Sequence, residues 1–259
     1  MTIADSTLFI KTALAAVMAS AQIADEAKDM QSVSTKGSLR DIVTRTDLAI
    51  SELLVDRLSA TGIPVISEEQ NRNFGEVPDV FWVVDPIDGT VNFSNGLPQF
   101  AISAGLVDKG VFKLGVVCAP ALDELYFTLN EERALLNGRP FVHVHQTTTD
   151  SLVAGSFAAK GAPAQHELFQ QINESTRGCL RTGSAALNIC WAAVGKLQAA
   201  YGFQAKLWDV AGALAVARAA GCKITIHKNS DALTVDYCVG STETVRHIEQ
   251  LAQGHGFWS

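Results

Sequence analysis

The chain has 259 residues, of which 47% are apolar, which is enough to bury a large core without disulfide or metal staples and too apolar for a disordered chain. Twenty basic residues stand against 27 acidic ones, a net charge of −7; this disfavours a broad nucleic-acid or anionic-membrane surface, but not an anionic substrate held by a local cation or metal. There is no uncharged run of about 18 residues to span a bilayer and no basic start followed by an apolar block, so the expectation is a cytoplasmic protein with no membrane partner.

In chain order, Leu8, Phe9, Leu14, Val17 and Ile23 recur at helical spacing and predict a helix over Ser6 to Met30. A polar break from Ser32 to Ser38 follows, and helical periodicity resumes near Asp47 and stops at Gly62. Ile63 to Ile66 reads as a short strand, and Val80 to Val84 as another that runs into Asp85-Pro86. Ala101 to Val107 and Val111 to Val117 flank a hairpin signal at Asp108-Lys109-Gly110. Leu125 to Leu129 is a further strand, and Asn137-Gly138 a turn. His143-Val144-His145 places both imidazoles on one strand face, as a metal pair would, but with no third ligand nearby it reads as a surface strand. Strands and helices alternate in the second half: strands over Leu152–Gly155, Leu197–Tyr201, Ile224–Ile226 and Tyr237–Val239, helices over His166–Thr176, Ser184–Val194, Val210–Ala220 and Thr242–Gln253. The pattern predicts N-terminal helices with an antiparallel sheet over 1–150, followed by a smaller α/β half over 151–259, with the boundary in the polar run Gln146 to Ser151. The five cysteines have no C-x-x-C spacing and read as buried free thiols.

Asp85-Pro86-Ile87-Asp88-Gly89-Thr90 carries the most chemistry. Two carboxylates three residues apart close a buried strand, and Pro with Gly makes the segment a turn. Such a pair suits hard cations bound through oxygen, or an ordinary polar loop. Glu68-Glu69 follows a strand, where a solvated loop is the default explanation. Asp209 and Asp47 each precede an apolar helical run, where N-capping is the default. Acids at four separate element ends are harder to explain singly, because open α/β sheets gather ligands at strand ends.

Residues 85–90 resemble the D-P-I-D-G-T signature of the inositol monophosphatase family, and Trp208-Asp209-Val210-Ala211-Gly212 its W-D-x-A-x-G signature. Val43 to Asp47, Ser67-Glu68-Glu69 and Gly183-Ser184-Ala185-Ala186 fall in the family's order, so the likeness covers roughly residues 8–250. The resemblance implies a layered αβαβα sandwich and a Mg2+-dependent, lithium-sensitive phosphomonoesterase using two or three ions, commonly a homodimer. It implies that Glu68, Asp85, Asp88, Asp209 and the Ile87 carbonyl hold the ions, with Glu69 supporting them. Asp47 and Thr90 would activate water, Gly89 and Thr90 would grip the phosphate, and Gly183, Ser184 and Ala185 would line the alcohol side.

The chain departs from its relatives before the second signature. Where those acting on inositol phosphate commonly carry an acid, it has Gly202, which argues against inositol monophosphate itself; Gln204 and Lys206 are left as substrate-side candidates. Glu131 to Ala134 replaces a glycine-rich turn. Ala119 to Tyr126 looks like the branch that cleaves 3′-phosphoadenosine 5′-phosphate, whereas Val91-Asn92-Phe93 does not. The expected substrate is a small phosphorylated polyol, sugar or related metabolite, the alternatives being a 3′(2′),5′-bisphosphate nucleotide and a non-catalytic binding role on the same fold.

Overall fold

A computed structural model describes residues 3–27, 33–35, 42–70, 77–145, 147–157 and 162–258. The first helix, α1 (Ile3–Glu26), is followed by the strand pair β1 (Val33–Thr35) and β2 (Ile42–Thr44) and by α2 (Arg45–Ser59). Then come β3 (Val65–Ser67), β4 (Val80–Asp88), α3 (Thr90–Ser94), β5 (Ala101–Asp108), β6 (Val111–Ala119), β7 (Glu124–Asn130), β8 (Arg133–Leu136) and β9 (Arg139–Phe141). The second half runs β10 (Leu152–Ser156), α4 (Pro163–Ser175), β11 (Gly178–Leu180), α5 (Ala185–Ala193), β12 (Ala199–Lys206), α6 (Leu207–Ala219), β13 (Lys223–Lys228), β14 (Thr234–Gly240) and α7 (Thr242–Gly254).

Strands β3 to β9 lie in sequence order in a seven-stranded sheet, and a five-stranded sheet has the order β11-β10-β12-β14-β13. The expected antiparallel sheet holds from β4 to β9, while β3 joins β4 in parallel. Helices α1 and α2 cover one face of the larger sheet, α5 and α6 fill the space between the sheets, and α4 and α7 cover the far face of the smaller one. This is the αβαβα sandwich.

Buried on both faces, β4 reads as a continuous apolar run rather than an alternating one. Trp82 and Val84 enter the core under α1 and α2, and Phe81 and Val83 the core between the sheets. The α6 helix is apolar all round because both sheets enclose it. It lies on the β5–β6 hairpin so closely that a Cβ at Gly115 would fall 2.0 Å from the Gly212 carbonyl oxygen. The hairpin turns follow their sequence signals: Lys109-Gly110 has φ of 49° and 77°, and Asn137-Gly138 has 51° and 77°.

Several expectations shift. Residues 28–30 of the first helix and part of the polar break after it lie outside the described residues, as does Gln146. By length and composition α1 could cross a membrane, but Ile10, Ala13, Ala16 and Val17 are buried in the core beneath it. Strands β8, β9 and β11, of three or four residues each, are too short for periodicity to register. Residues 143–145 are not a strand. His143 is buried, with Nδ1 2.9 Å from the Ala192 carbonyl and Nε2 2.9 Å from the Ser241 hydroxyl. The five cysteines are free, and four of them are buried.

The Gly115–Gly212 contact generates a prediction. Gly115→Ala pushes a methyl into α6 backbone and should destabilise the fold by roughly 1–3 kcal/mol or more, seen as a lower midpoint in a circular-dichroism melt. An unchanged midpoint would mean that α6 yields at no cost.

Candidate active site

The ladder of β4 continues through Asp85-Pro86-Ile87-Asp88 rather than turning at Asp85, as the Pro-Gly signal suggested. Against β5 the register steps from Asp85↔Ser103 to Asp88↔Ala101, so β4 holds one extra residue there. This bulge carries the chemistry. Residues three apart on a regular strand face opposite sides, but one inserted residue returns Asp85 and Asp88 to the same side. Pro86 fits because a bulge can do without its N–H. The Ile87 N–H donates to Asp85 Oδ1 at 2.9 Å. The turn itself falls on Gly89, at φ 93°, where a Cβ would lie 2.9 Å from the Gln99 carbonyl oxygen.

The parallel pairing of β3 with β4 ends at Ser67↔Val84, and the Glu68 N–H donates to the Val84 carbonyl at 3.3 Å. Glu68 and Glu69 therefore leave β3 beside Asp85.

Asp47 and Asp209 are not N-caps. Both occupy the third position of a helix that starts earlier than its apolar pattern, after Thr44 and Lys206 respectively. Asp47 Oδ2 accepts the Thr44 N–H at 2.8 Å and also bonds the Thr44 hydroxyl, which in turn accepts the Asp47 N–H, forming a capping box. The Asp209 carboxylate likewise accepts the Lys206 backbone N–H. The same helix-start geometry thus delivers one acid from each half. Asp47 Oδ1 lies 3.3 Å from Thr90 Oγ1, and Thr90 Oγ1 donates to the Ile87 carbonyl at 2.9 Å.

Asp88 is turned toward the start of α5, where Ser184 Oγ donates at 2.5 Å, the Ala186 N–H at 2.7 Å and the Ala185 N–H at 3.3 Å. Ser184 also caps that helix, as its sequence position suggested. Asn92, which the sequence reading passed over, ties this side together: its Nδ2 donates to the Gln99 carbonyl at 2.6 Å and to the Thr182 carbonyl at 2.8 Å. A Cβ on Gly183, at φ 92°, would fall 2.8 Å from the same atom. Asparagine beside D-P-I-D-G-T was the only available signal. Of the substrate-side candidates, Gln204 is exposed at φ 52° with its N–H on Asp236, and the Lys206 ammonium is bonded to Asp231 and Thr234, each at 2.8 Å.

The acids act on one another. Burial, then the charges of Glu68, Asp209, Asp88 and Asp47, hold the Asp85 carboxyl well above the usual range. Burial, then Asp88 and Glu68, do the same to Asp209, against the pull of Lys206. Burial raises Asp88 to about 6, although Ser184, Ala186 and Ala185 oppose it. Among the described residues no group of three or more acidic, His or Cys side chains is placed to hold a metal ion, although the acids act on one another through their charge. An all-oxygen set of crowded, partly buried carboxylates with a peptide carbonyl fits hard divalent cations.

Residues 4–254 match the profile of the Inositol monophosphatase family. The chain belongs to this family. Among its relatives, the Nus factor SuhB of Pasteurella multocida is 32% identical over 194 residues, 73% of each chain. The fructose-1,6-bisphosphatase/inositol-1-monophosphatase of Thermotoga maritima is 30% identical over 203 residues, 78% of each chain. Among solved structures, the Thermotoga maritima IMPase superimposes with a TM-score of 0.77 at 26% identity, covering 93% of this chain and 96% of that one. The SuhB of Bartonella henselae shares the fold, with a TM-score of 0.84 at 24% identity over 93% and 96% of the two chains. This is a family of metal-dependent phosphomonoesterases, some of whose members are named as Nus factors.

The charge crowding predicts that Asp85→Asn, which retains an acceptor for the Ile87 N–H, keeps or raises the thermal midpoint of the metal-free protein. Added Mg2+ should raise the wild-type midpoint, and this variant should lose that rise. Scanning fluorimetry with chelator and with Mg2+ reads both; an equal metal shift in the two proteins would remove Asp85 from the metal set.

Proposed function

We propose that the protein is a Mg2+-dependent phosphatase that hydrolyses a small phosphorylated polyol, sugar or related metabolite. The observation that carries this reading is the convergence on Asp85 of charge from Glu68, Asp88, Asp209 and Asp47, with Thr90 bridging Asp47 to the Ile87 carbonyl. Glu68, Asp85, Asp88, Asp209 and the Ile87 carbonyl would hold two or three ions, with Glu69 supporting them. When bound, such ions neutralise the crowded acids, acidify water and take up charge on the leaving oxygen.

The chain's own residues do the rest. The Gly89 and Thr90 N–H groups hold phosphate oxygens. The Asp47–Thr90 pair orients the attacking water and takes its proton as the water oxygen bonds to phosphorus. The phosphorus–oxygen bond to the alcohol breaks on the opposite side, and the departing alkoxide takes a proton from solvent. Gly183, Ser184 and Ala185 face that alcohol, with Asn92 fixing their loop. Lys206 is anchored rather than free, so its part is to shape the pocket through Asp231. The sugar- and inositol-phosphatase name of the Thermotoga maritima relative supports a sugar or polyol ester over a bisphosphate nucleotide. The SuhB relatives' name, Nus factor, supports a second reading, in which binding to a partner is a function alongside hydrolysis or in place of it.

Assaying phosphate release from a panel of inositol, sugar and 3′(2′),5′-bisphosphate nucleotide esters, with Mg2+ and with or without lithium, tests the proposal. Turnover should require Mg2+ and fall with lithium. Asp88→Asn and Asp209→Asn should each lower kcat/KM by about 10²-fold or more, as loss of a charge-stabilising group does. Retained turnover in both variants, or none on any ester with metal bound, would overturn the phosphatase reading; the second result would favour the binding role.

A further inference from the structure

Ser103 on β5 carries a hydroxyl that folding removes from water and gives no partner. The residue is 0% exposed, and its Oγ makes no hydrogen bond. Burying a hydroxyl in this way has a desolvation cost that an alanine in its place would not incur.

Strand register fixes where the hydroxyl lies. Ser103 stands directly opposite Asp85 in the antiparallel β4–β5 pair, and residues so paired project from the same face with their Cβ atoms roughly 5 Å apart. That face is the one turned toward α6. Two residues along, Val83 pairs with Gly105; Val83 lies in the core between the sheets, and a Cβ on Gly105 would fall 2.6 Å from the Gly212 amide nitrogen. Ser103 meets the same helix, because a Cβ on Gly212 would fall 2.7 Å from its Oγ. Gly212 follows Asp209 by three residues, so the two share a side of α6. The hydroxyl is thus beside Asp85 on the sheet and against the side of α6 that carries Asp209, in space that Gly212 leaves open.

This sets Ser103 apart from the other buried hydroxyls. Ser51 and Ser67 bond one another at 2.7 Å, and Ser184 is taken up by Asp88. Thr225 Oγ1 is likewise buried and without a partner, but it lies on β13, the edge strand of the smaller sheet. None of Asp47, Glu68, Asp85, Asp88 and Asp209 stands on that strand or on β14 beside it.

An ion in this site needs more than carboxylates, since among the described residues no three acidic, His or Cys side chains are placed to hold one. Mg2+ keeps several waters of its own when protein groups bind it. The ion occupies a lone pair of each such water and leaves its two protons to donate. A serine hydroxyl has lone pairs to accept one of them.

We propose that Ser103 Oγ is an outer partner of the bound cation, accepting a hydrogen bond from a water on the ion held by Asp85 and Asp209. Ser103 is then a positioning residue that acts on metal affinity through that water, and no part of the chain has to move for it to do so. The proposal rests on the metal-dependent phosphatase reading and adds a residue to its cation site.

Ser103→Ala tests it, with Thr225→Val as the control for losing a buried, unpartnered hydroxyl elsewhere. The readouts are calorimetric Mg2+ affinity, the thermal midpoint in chelator, and a crystal structure of the Mg2+-loaded protein. Ser103→Ala should weaken Mg2+ binding about fivefold, the equivalent of about 1 kcal/mol, while melting in chelator at or above the wild-type temperature. Thr225→Val should bind Mg2+ as the wild type does. The loaded crystal should hold an ion-bound water within about 3.2 Å of Ser103 Oγ. A chelator midpoint that falls along with affinity, an equal loss in Thr225→Val, or a loaded structure with no ion-bound water at Ser103 would each overturn the proposal. A wild-type protein that binds no Mg2+ would overturn the metal-dependent reading and this inference with it; wild-type binding matched by Ser103→Ala would overturn this inference alone.

Discussion

Repulsion among carboxylates is the constraint around which this molecule is arranged. Asp85 is buried at the end of a central strand, and the charges of four other acids reach it. In a low-dielectric interior such a group is unfavourable unless something offsets it. The backbone offsets part of it: Thr44 and Lys206 amides hold Asp47 and Asp209, α5 holds Asp88, and the Ile87 amide holds Asp85. What remains is a concentration of negative potential suited to small, highly charged cations.

Rigid elements set that arrangement, not loops. The bulge in β4 aims two acids to one side, the parallel β3–β4 pair sets Glu68 beside them, and two helix starts add Asp47 and Asp209. The approach of α6 to Gly115 leaves the Asp209 helix little freedom to move relative to the sheet that carries Asp85. Asn92 does for the loop before α5 what Gly115 does for α6, holding the Gln99 and Thr182 carbonyls with one side chain. Gln204 lies outside this framework, with its N–H on Asp236, whereas Lys206 belongs to it through the amide and the charge that act on Asp209.

The acids were legible in the sequence because they stand in short, unusual strings, and the layered fold because apolar period changes from helix to strand along the chain. What sequence concealed was mostly relational. A bulge exists only against a partner strand, so Asp85-Pro86-Ile87-Asp88 reads as a turn until Ser103 and Ala101 are opposite it. Asp47 and Asp209 read as caps because Arg45 and Leu207 give no start signal, whereas the real caps lie three residues earlier. His143 resembled a surface histidine because its partners, Ala192 and Ser241, are 49 and 98 residues away. Asn92 was read only as part of Val91-Asn92-Phe93, since its tie to the Thr182 carbonyl spans 90 residues.

The third-position placement of Asp47 and Asp209 separates what keeps the chain folded from what would make it a catalyst. An amide oxygen accepts the Thr44 or Lys206 N–H as a carboxylate oxygen does, while carrying no charge. Descendants that exchanged these two acids for asparagines would inherit intact helix starts and lose two of the negative charges that act on Asp85. The scaffold can therefore shed these two charges in two substitutions and survive as a shape for other molecules to recognise.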